Sequence, residues 1–371
     1  MEIEIWDARD PADAARWQAA FDAWPDREVV AHPGYLRLFA AEHDQPLAAH
    51  ATTRHGFVLY PFLLRPIDAP HLHAVAGPRW DVASPWSSSS GGAFQRAVDD
   101  VEAKEFWSAF DDFCRARRVV SEFTRLHVFT EQVLPYPGET TTCLTNVVRD
   151  LRTPAEQMWQ EFEHKVRKNV NRARRSGVTV EVDETGARLD DFLRIYRDTM
   201  RRRRAGSGYL FPRSFFTELI RQLPGQFVFF HALYEGRVVS TELVLCSAGN
   251  LYSYLGGTDE TAFAVRPNDL LKFEICRWGQ QQGRTRFLLG GGYAPDDGIF
   301  RYKRSFAPHG LLPYRVGHRV MDRDTYDRLC RAHRAEADRR DPTWQPDPLF
   351  FPAYRQQLPP TTSALAVPRI S

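Results

Sequence analysis

The chain is poor in the patterns that announce metal, disulfide or nucleotide chemistry. Its five cysteines, Cys114, Cys143, Cys246, Cys276 and Cys330, lie far apart and form no CxxC or Cys/His spacing. That argues against a zinc site or a disulfide framework and leaves them as small buried hydrophobes. No run approaches the roughly 18 consecutive apolar residues of a membrane-spanning helix. Met1-Glu2-Ile3-Glu4-Ile5-Trp6-Asp7 lacks the basic start and apolar stretch of a secretion signal, so a cytoplasmic protein is expected. There is no GxGxxG after a first strand, no Walker A lysine and no GxSxG elbow. Nucleotide cofactors, metals and a covalent serine or cysteine nucleophile are therefore not indicated. A charge excess is lacking too: 49 Lys and Arg against 47 Asp and Glu leave a net charge of +2, so any basic surface must be local.

What remains is an ordinary globular composition, 43% hydrophobic and 26% charged, over 371 residues, long enough for two domains. The first, residues 1–147, reads β-α-α-β-β, then a loop-rich stretch 65–92 containing Ser87-Ser88-Ser89-Ser90, then a helix over 97–117 and a strand over 125–129. The second, residues 148–340, opens with a strand over 146–151. There Thr153-Pro154-Ala155-Glu156 has the pattern of a capping box, and one helix is expected to run to Gly177. A strand over 178–182, helices over 189–200 and 213–223, three strands between 227 and 255, a helix over 268–281, strands over 285–289 and 314–321 and a helix from 324 follow. The Pro-rich tail 341–371 is expected to pack poorly. Mixed elements in this order predict an α/β class with an α+β mixed sheet.

Two features of the second domain carry chemistry. Lys165, Arg167, Lys168, Arg172, Arg174 and Arg175 place six cations within eleven positions, more than a helix C-terminal dipole requires. Arg201-Arg202-Arg203-Arg204 adds a second cluster. Together they suggest an anion-binding groove, for which a phosphate backbone is the natural partner. The other feature is Gly290-Gly291-Gly292-Tyr293 leading into Gly298-Ile299-Phe300-Arg301-Tyr302-Lys303-Arg304-Ser305-Phe306. Three glycines after a short strand mark backbone that approaches something closely or takes a positive φ, with a lysine among aromatics just beyond.

On the Leu151 to Gly177 passage with its Arg167-to-Gly177 core, the Tyr196 to Arg204 helix end, Tyr252-Ser253-Tyr254-Leu255-Gly256-Gly257, the helix after Pro267-Asn268 and Gly290 to Phe306, the sequence resembles the Fem-like aminoacyltransferases of the acetyltransferase (GNAT) superfamily. The resemblance spans nearly the whole chain and implies two tandem GNAT-like domains. It also implies transfer of an amino acid from aminoacyl-tRNA, the co-substrate, to an acceptor amine with formation of an amide. The acceptor would be a peptidoglycan precursor, a peptide or a small metabolite. The family's lysine near the transferring ester matches Lys303, with Tyr302 in place of the usual phenylalanine. Acceptor-binding positions match Tyr254 and Arg202 or Arg203, and Tyr252, two residues away on the same strand, is expected to face the same side. Gly291 and Gly292 would let substrate approach the backbone. Lys165, Arg167, Lys168, Arg172, Arg175 and Arg304 would hold tRNA phosphate. The family's tryptophan-lysine pattern is absent, with His32-Pro33-Gly34-Tyr35 in its place.

An aminoacyl ester is already activated, so its aminolysis needs positioning more than covalent catalysis. Lys303 would stabilise the oxyanion or the departing ribose oxygen, and Asp81, read as lying in a loop, is the candidate to accept the proton of the attacking amine. The rival on the same fold is an acyl-CoA-dependent N-acyltransferase. It would need a pyrophosphate-binding Arg/Gln-x-x-Gly-x-Gly/Ala loop, and Val265-Arg266-Pro267-Asn268 stands where that loop belongs. A non-catalytic RNA-binding protein would need the basic clusters but neither Lys303 nor the glycine bend.

Overall fold

The computed structural model describes residues 1–86 and 91–360; Ser87 to Ser90 and the tail beyond 360 lie outside the described residues. In chain order the first part comprises β1 (Glu4–Asp7), α1 (Pro11–Ala23), α2 (Pro33–Phe39), β2 (Gln45–Thr52), β3 (Phe57–Pro66), α3 (His73–Ala76), β4 (Trp80–Ala83), β5 (Phe94–Arg96), α4 (Asp100–Ala116) and β6 (Val119–Arg125). There follow β7 (Glu139–Asp150), α5 (Ala155–Glu161), α6 (His164–Arg175), β8 (Thr179–Asp183), α7 (Leu189–Arg202), α8 (Arg213–Gln222), β9 (Phe227–Tyr234), β10 (Arg237–Cys246), β11 (Asn250–Thr258), α9 (Pro267–Gln281), β12 (Arg286–Gly290), α10 (Gly298–Arg304), β13 (Leu311–Val320) and α11 (Arg323–Arg340).

Packing divides the chain into two compact units that are not consecutive in sequence. The first takes Met1–Ala14, Phe39–Thr141 and the described residues from Arg315 on; the second takes Ala15–Leu38 and Thr142–Tyr314. The expected boundary at 147/148 falls inside β7.

Each unit carries a mixed sheet built to one plan. In the first, β1, β2, β3 and β4 pair antiparallel in turn, β4 pairs β6 parallel, and β13 adds antiparallel to β6. In the second, β8, β9, β10 and β11 pair antiparallel in turn, β11 pairs β12 parallel, and β7 adds antiparallel to β12. Three antiparallel pairings, one parallel and one antiparallel recur in the same order.

The core of the first unit lies between its sheet and α4. Asp99 accepts from the backbone N–H groups of Val101 and Glu102 while Glu102 accepts from the Asp99 N–H. This reciprocal cap starts a helix that buries Phe106, Trp107, Phe110 and Cys114. The capping box expected at Thr153 does not form. α5 begins at Ala155 after Pro154 with no side-chain cap, because the Thr153 hydroxyl is engaged by Arg149 Nη2 at 3.1 Å. The single helix expected from there breaks at Phe162, whose ψ of 140° is extended, and α6 resumes at His164. α6 and α9 then bury Val166, Val170 and Ala173 together with Leu270, Phe273 and Cys276 in the second core.

Two expectations in the first unit are corrected. Asp81 is not in a loop but on β4, 3% exposed. It accepts from Ser121 Oγ at 2.9 Å, from the Tyr354 hydroxyl and from Arg355 Nε at 2.5 Å, so it is occupied as an anchor. The same contacts correct the loosely packed tail: Tyr354 is 1% exposed, because its proline-rich surroundings deliver a phenol and a guanidinium to one buried carboxylate. Replacing Asp81 with Asn leaves Arg355 without its anion. It is expected to cost about 3 kcal/mol, read as a lower urea midpoint together with faster proteolysis between 345 and 360.

Candidate active site

Within the second unit, α6, α7, β10, β11, α9 and α10 surround a cavity of about 840 Å³. Its wall on β11 depends on a bulge. Leu243 faces Leu255 and Val244 faces Ser253, so Tyr254 has no partner of its own on β10. An extra residue on one strand re-aims the side chains beside it. Tyr252 and Tyr254 both send their phenols away from Lys272, which meets Ser253 between them. Tyr252 is buried, donates to Glu28 Oε2 at 2.5 Å and does not line the cavity, a correction to its substrate-binding role. Tyr254 lines the cavity, while its hydroxyl is buried without a hydrogen-bond partner among the described residues.

The glycine bend fixes Lys303. Gly290 has φ +79°, and a Cβ there would stand 3.2 Å from Lys303 Nζ; one on Gly291 would meet the Thr145 carbonyl oxygen at 2.7 Å. Freed of side chains, the bend turns the Gly291 carbonyl onto Lys303 Nζ at 2.7 Å. Asp297 locks the other end: its Oδ2 accepts from Tyr293 N at 2.7 Å and its Oδ1 caps α10 at Phe300 N, also at 2.7 Å. A Cβ on Gly292 would strike that carboxylate at 2.3 Å. Gly291 and Gly292 therefore shape the support of Lys303 and do not line the cavity.

Glu242, Asp269 and Lys272, missed in the sequence, complete the floor beside Tyr302. Lys272, 5% exposed, donates to both oxygens of Glu242 at 2.5 and 2.6 Å and to Ser253 Oγ at 3.0 Å. Asp269, 8% exposed, accepts from Asn169 Nδ2 at 3.2 Å. Tyr302, whose proton is held on by burial and then by the Asp269 charge, has its hydroxyl 2.7 Å from Asn268 Nδ2. The signal for these residues was available. Lys272 sits inside Leu270-Leu271-Lys272-Phe273, Glu242 inside an apolar strand and Asp269 at the start of an apolar helix, and a charge that interrupts a buried pattern needs a partner or a task.

Lys303, Tyr302, Tyr254, Arg202, Arg203, Lys165 and Arg304 all line the cavity. Arg202 donates to the Thr258 carbonyl at 3.0 Å and stacks over Phe263 at 5.2 Å. Lys165, Lys168, Arg172 and Arg175 are exposed and, at steps of three and four, share one face of α6. Arg167 points the other way and is corrected as a phosphate ligand: its Nη1 donates to the carbonyls of Gln160 and Phe162 at 2.7 and 2.5 Å, spanning the break between α5 and α6. Arg174 is likewise occupied, by Glu274 at 3.1 Å and the Phe273 ring at 4.7 Å. Among the described residues no group of three or more His, Cys, Asp or Glu could hold a metal ion, and no helix is long and apolar enough to cross a membrane.

Residues 160–304 match the family model described as an acetyltransferase (GNAT) domain. The matched stretch lies within the second unit. Among solved structures the chain is similar to FemX at 12% identity and a TM-score of 0.61, covering 88% of this chain and 99% of that one. A conserved protein of unknown function from Bacteroides thetaiotaomicron gives 13% identity and a TM-score of 0.55, covering 85% and 99%. The C-terminal domain of a putative lysylphosphatidylglycerol synthetase from Agrobacterium fabrum gives 13% and 0.51, covering 85% and 94%. No curated protein sequence matches significantly. At these identities the likeness shows the fold, two GNAT-like units in tandem.

Within the matched stretch, burial lowers the Lys303 ammonium first and the nearby Lys272 charge lowers it further, against Glu242 and Asp297, to about 8. A folded-state value below the ordinary 10.5 disfavours the charged form. The cost to stability is in full below about 8 and is relieved as pH rises toward 10.5. An NMR titration of side-chain-labelled lysines is expected to show Lys303 with a midpoint near 8, separate from the exposed lysines; a midpoint near 10.5 would contradict the enclosure described here.

Proposed function

We propose that the protein is an N-acyltransferase which, in the cavity of its second unit, moves an amino acid from aminoacyl-tRNA to an acceptor amine. The reaction is aminolysis of an ester. The amine nitrogen attacks the carbonyl carbon, the carbonyl oxygen takes up negative charge, and the ester oxygen leaves as the ribose hydroxyl as the amide forms. The observation that carries this reading is the enclosed Lys303 ammonium beneath a basic rim. In a water-poor cavity a fixed cation stabilises developing oxyanion charge far better than in bulk solvent, and the Lys303–Gly291 contact holds it in place before substrate arrives. Tyr302 and the Lys272–Glu242 pair shape the floor around it.

The rim suits a polyanionic carrier. Lys165, Lys168, Arg172 and Arg175 extend from the cavity along α6, and Arg202, Arg203 and Arg304 face them from α7 and α10. The resemblance to Fem-like enzymes supports tRNA as that carrier. Acyl-CoA is disfavoured by the start of α9: Pro267 removes one N–H from the helix end and Asp269 puts a carboxylate in its first turn, where a pyrophosphate would need to sit. With Asp81 committed to the tail, proton removal from the attacking amine falls to no residue named here.

Three outcomes test the reading. Incubation with a charged tRNA pool and candidate amines is expected to give a product heavier than the amine by one aminoacyl residue and abolished by ribonuclease. A ribonuclease-resistant product that requires acyl-CoA would establish the rival. Replacing Lys303 with Met is expected to lower turnover roughly a hundredfold or more with tRNA binding intact; activity within about twofold of wild type removes Lys303 from the chemistry. Replacing Lys168, Arg172 and Arg175 together with Gln is expected to weaken tRNA binding and to reduce the slope of log K against log salt by about 2 to 3. An unchanged slope contradicts the phosphate stripe.

A further inference from the structure

Three carboxylates line the cavity, and their surroundings differ. Glu163 is exposed, and Glu242 is neutralised by Lys272 at 2.5 and 2.6 Å. Asp269 is buried, and its side-chain partner is the neutral amide of Asn169 at 3.2 Å; among the described residues no lysine, arginine or histidine nitrogen lies within 4.0 Å of it. A buried carboxylate without a cation is costly unless something neutralises it. The start of α9 does so only in part, through the positive end of the helix.

The cationic charges that act on Asp269 are those of Arg266 and Lys165. Both are exposed and therefore screened by water. Burial dominates the environment of Asp269 and raises its proton affinity, a sign that the carboxylate lacks the ionic partner that Glu242 has. A basic rim over an acidic point on the floor is complementary to a molecule with a polyanionic body and a cationic head.

We propose that Asp269 is the receptor for a primary ammonium group of a substrate, held oriented by Asn169. This rests on the reading of the cavity as an acyl-transfer site and adds the substrate class it admits. The ammonium belongs either to the α-amino group of the transferred unit or to the acceptor amine before it is deprotonated.

The test is an NMR titration of the full chain with two matched pairs: L-alaninamide against N-acetyl-L-alaninamide for the transferred unit, and Nα-acetyl-lysine methylamide against its Nε-acetylated form for the acceptor. In at least one pair the ammonium-bearing member is expected to bind about tenfold more tightly, and the pair that does so identifies the source. Asp269→Asn is expected to reduce that preference to about twofold or less. Asp269→Ser, which still suits a helix start, serves as the second neutral variant should the first fold poorly. The proposal is overturned if neither pair discriminates in the wild type, or if a folded neutral variant keeps the preference. Because the amides contain no RNA, this outcome is separate from failure of the tRNA reading, which shows as absence of ribonuclease-sensitive product.

Discussion

The contact on which the second unit converges is the Lys303 ammonium resting on the Gly291 carbonyl at 2.7 Å. A cation held partly out of water needs fixed dipoles or anions around it, and each surrounding element supplies one or makes room for one. Three glycines let the backbone turn its carbonyl inward, and Asp297 ties the bend to the start of α10. The Lys272–Glu242 pair places one positive and one negative charge behind the ammonium. Burial first, and then the Lys272 charge, leave its proton held less firmly than an exposed lysine's, which suits a group that meets transient negative charge.

The wall opposite is set by an irregularity. One extra residue in β11 leaves Tyr254 without a partner on β10, next to Ser253, which meets Lys272. The parallel pairing of β11 with β12 follows directly, and α9 covers it, so the site gathers where the sheet changes direction. The first unit repeats the pairing order, but its carboxylate at the matching parallel pair, Asp81 on β4, anchors Tyr354 and Arg355.

The mixed α/β class, the repeated plan and the glycine bend were legible in the sequence because each leaves a local trace: period-two or helical hydrophobicity, or a run of residues without side chains. Lys303, Tyr302, Tyr254 and the α7 arginines were legible through family resemblance, and the structure brings them to one cavity. Periodicity could not show that Glu28 takes up Tyr252, which lies off the cavity that Tyr254 lines. Composition could not show that Tyr354 and Arg355 reach a carboxylate more than 270 residues earlier, so Asp81 read as a free base and the tail as loose. Arg167 looked like its neighbours because charge alone does not tell which face of a helix a side chain takes. The floor residues Glu242, Asp269 and Lys272 meet only through tertiary packing.

The most direct measurement is the single-turnover rate of amide formation from preloaded aminoacyl-tRNA, followed across pH on both sides of about 8. With Lys303 acting as a cation, the rate, corrected for ionisation of the attacking amine, falls as pH rises through that value, and the fall disappears in the Lys303→Met variant. A corrected rate that climbs through the same range in wild type, or a fall that persists unchanged in the variant, would contradict the account.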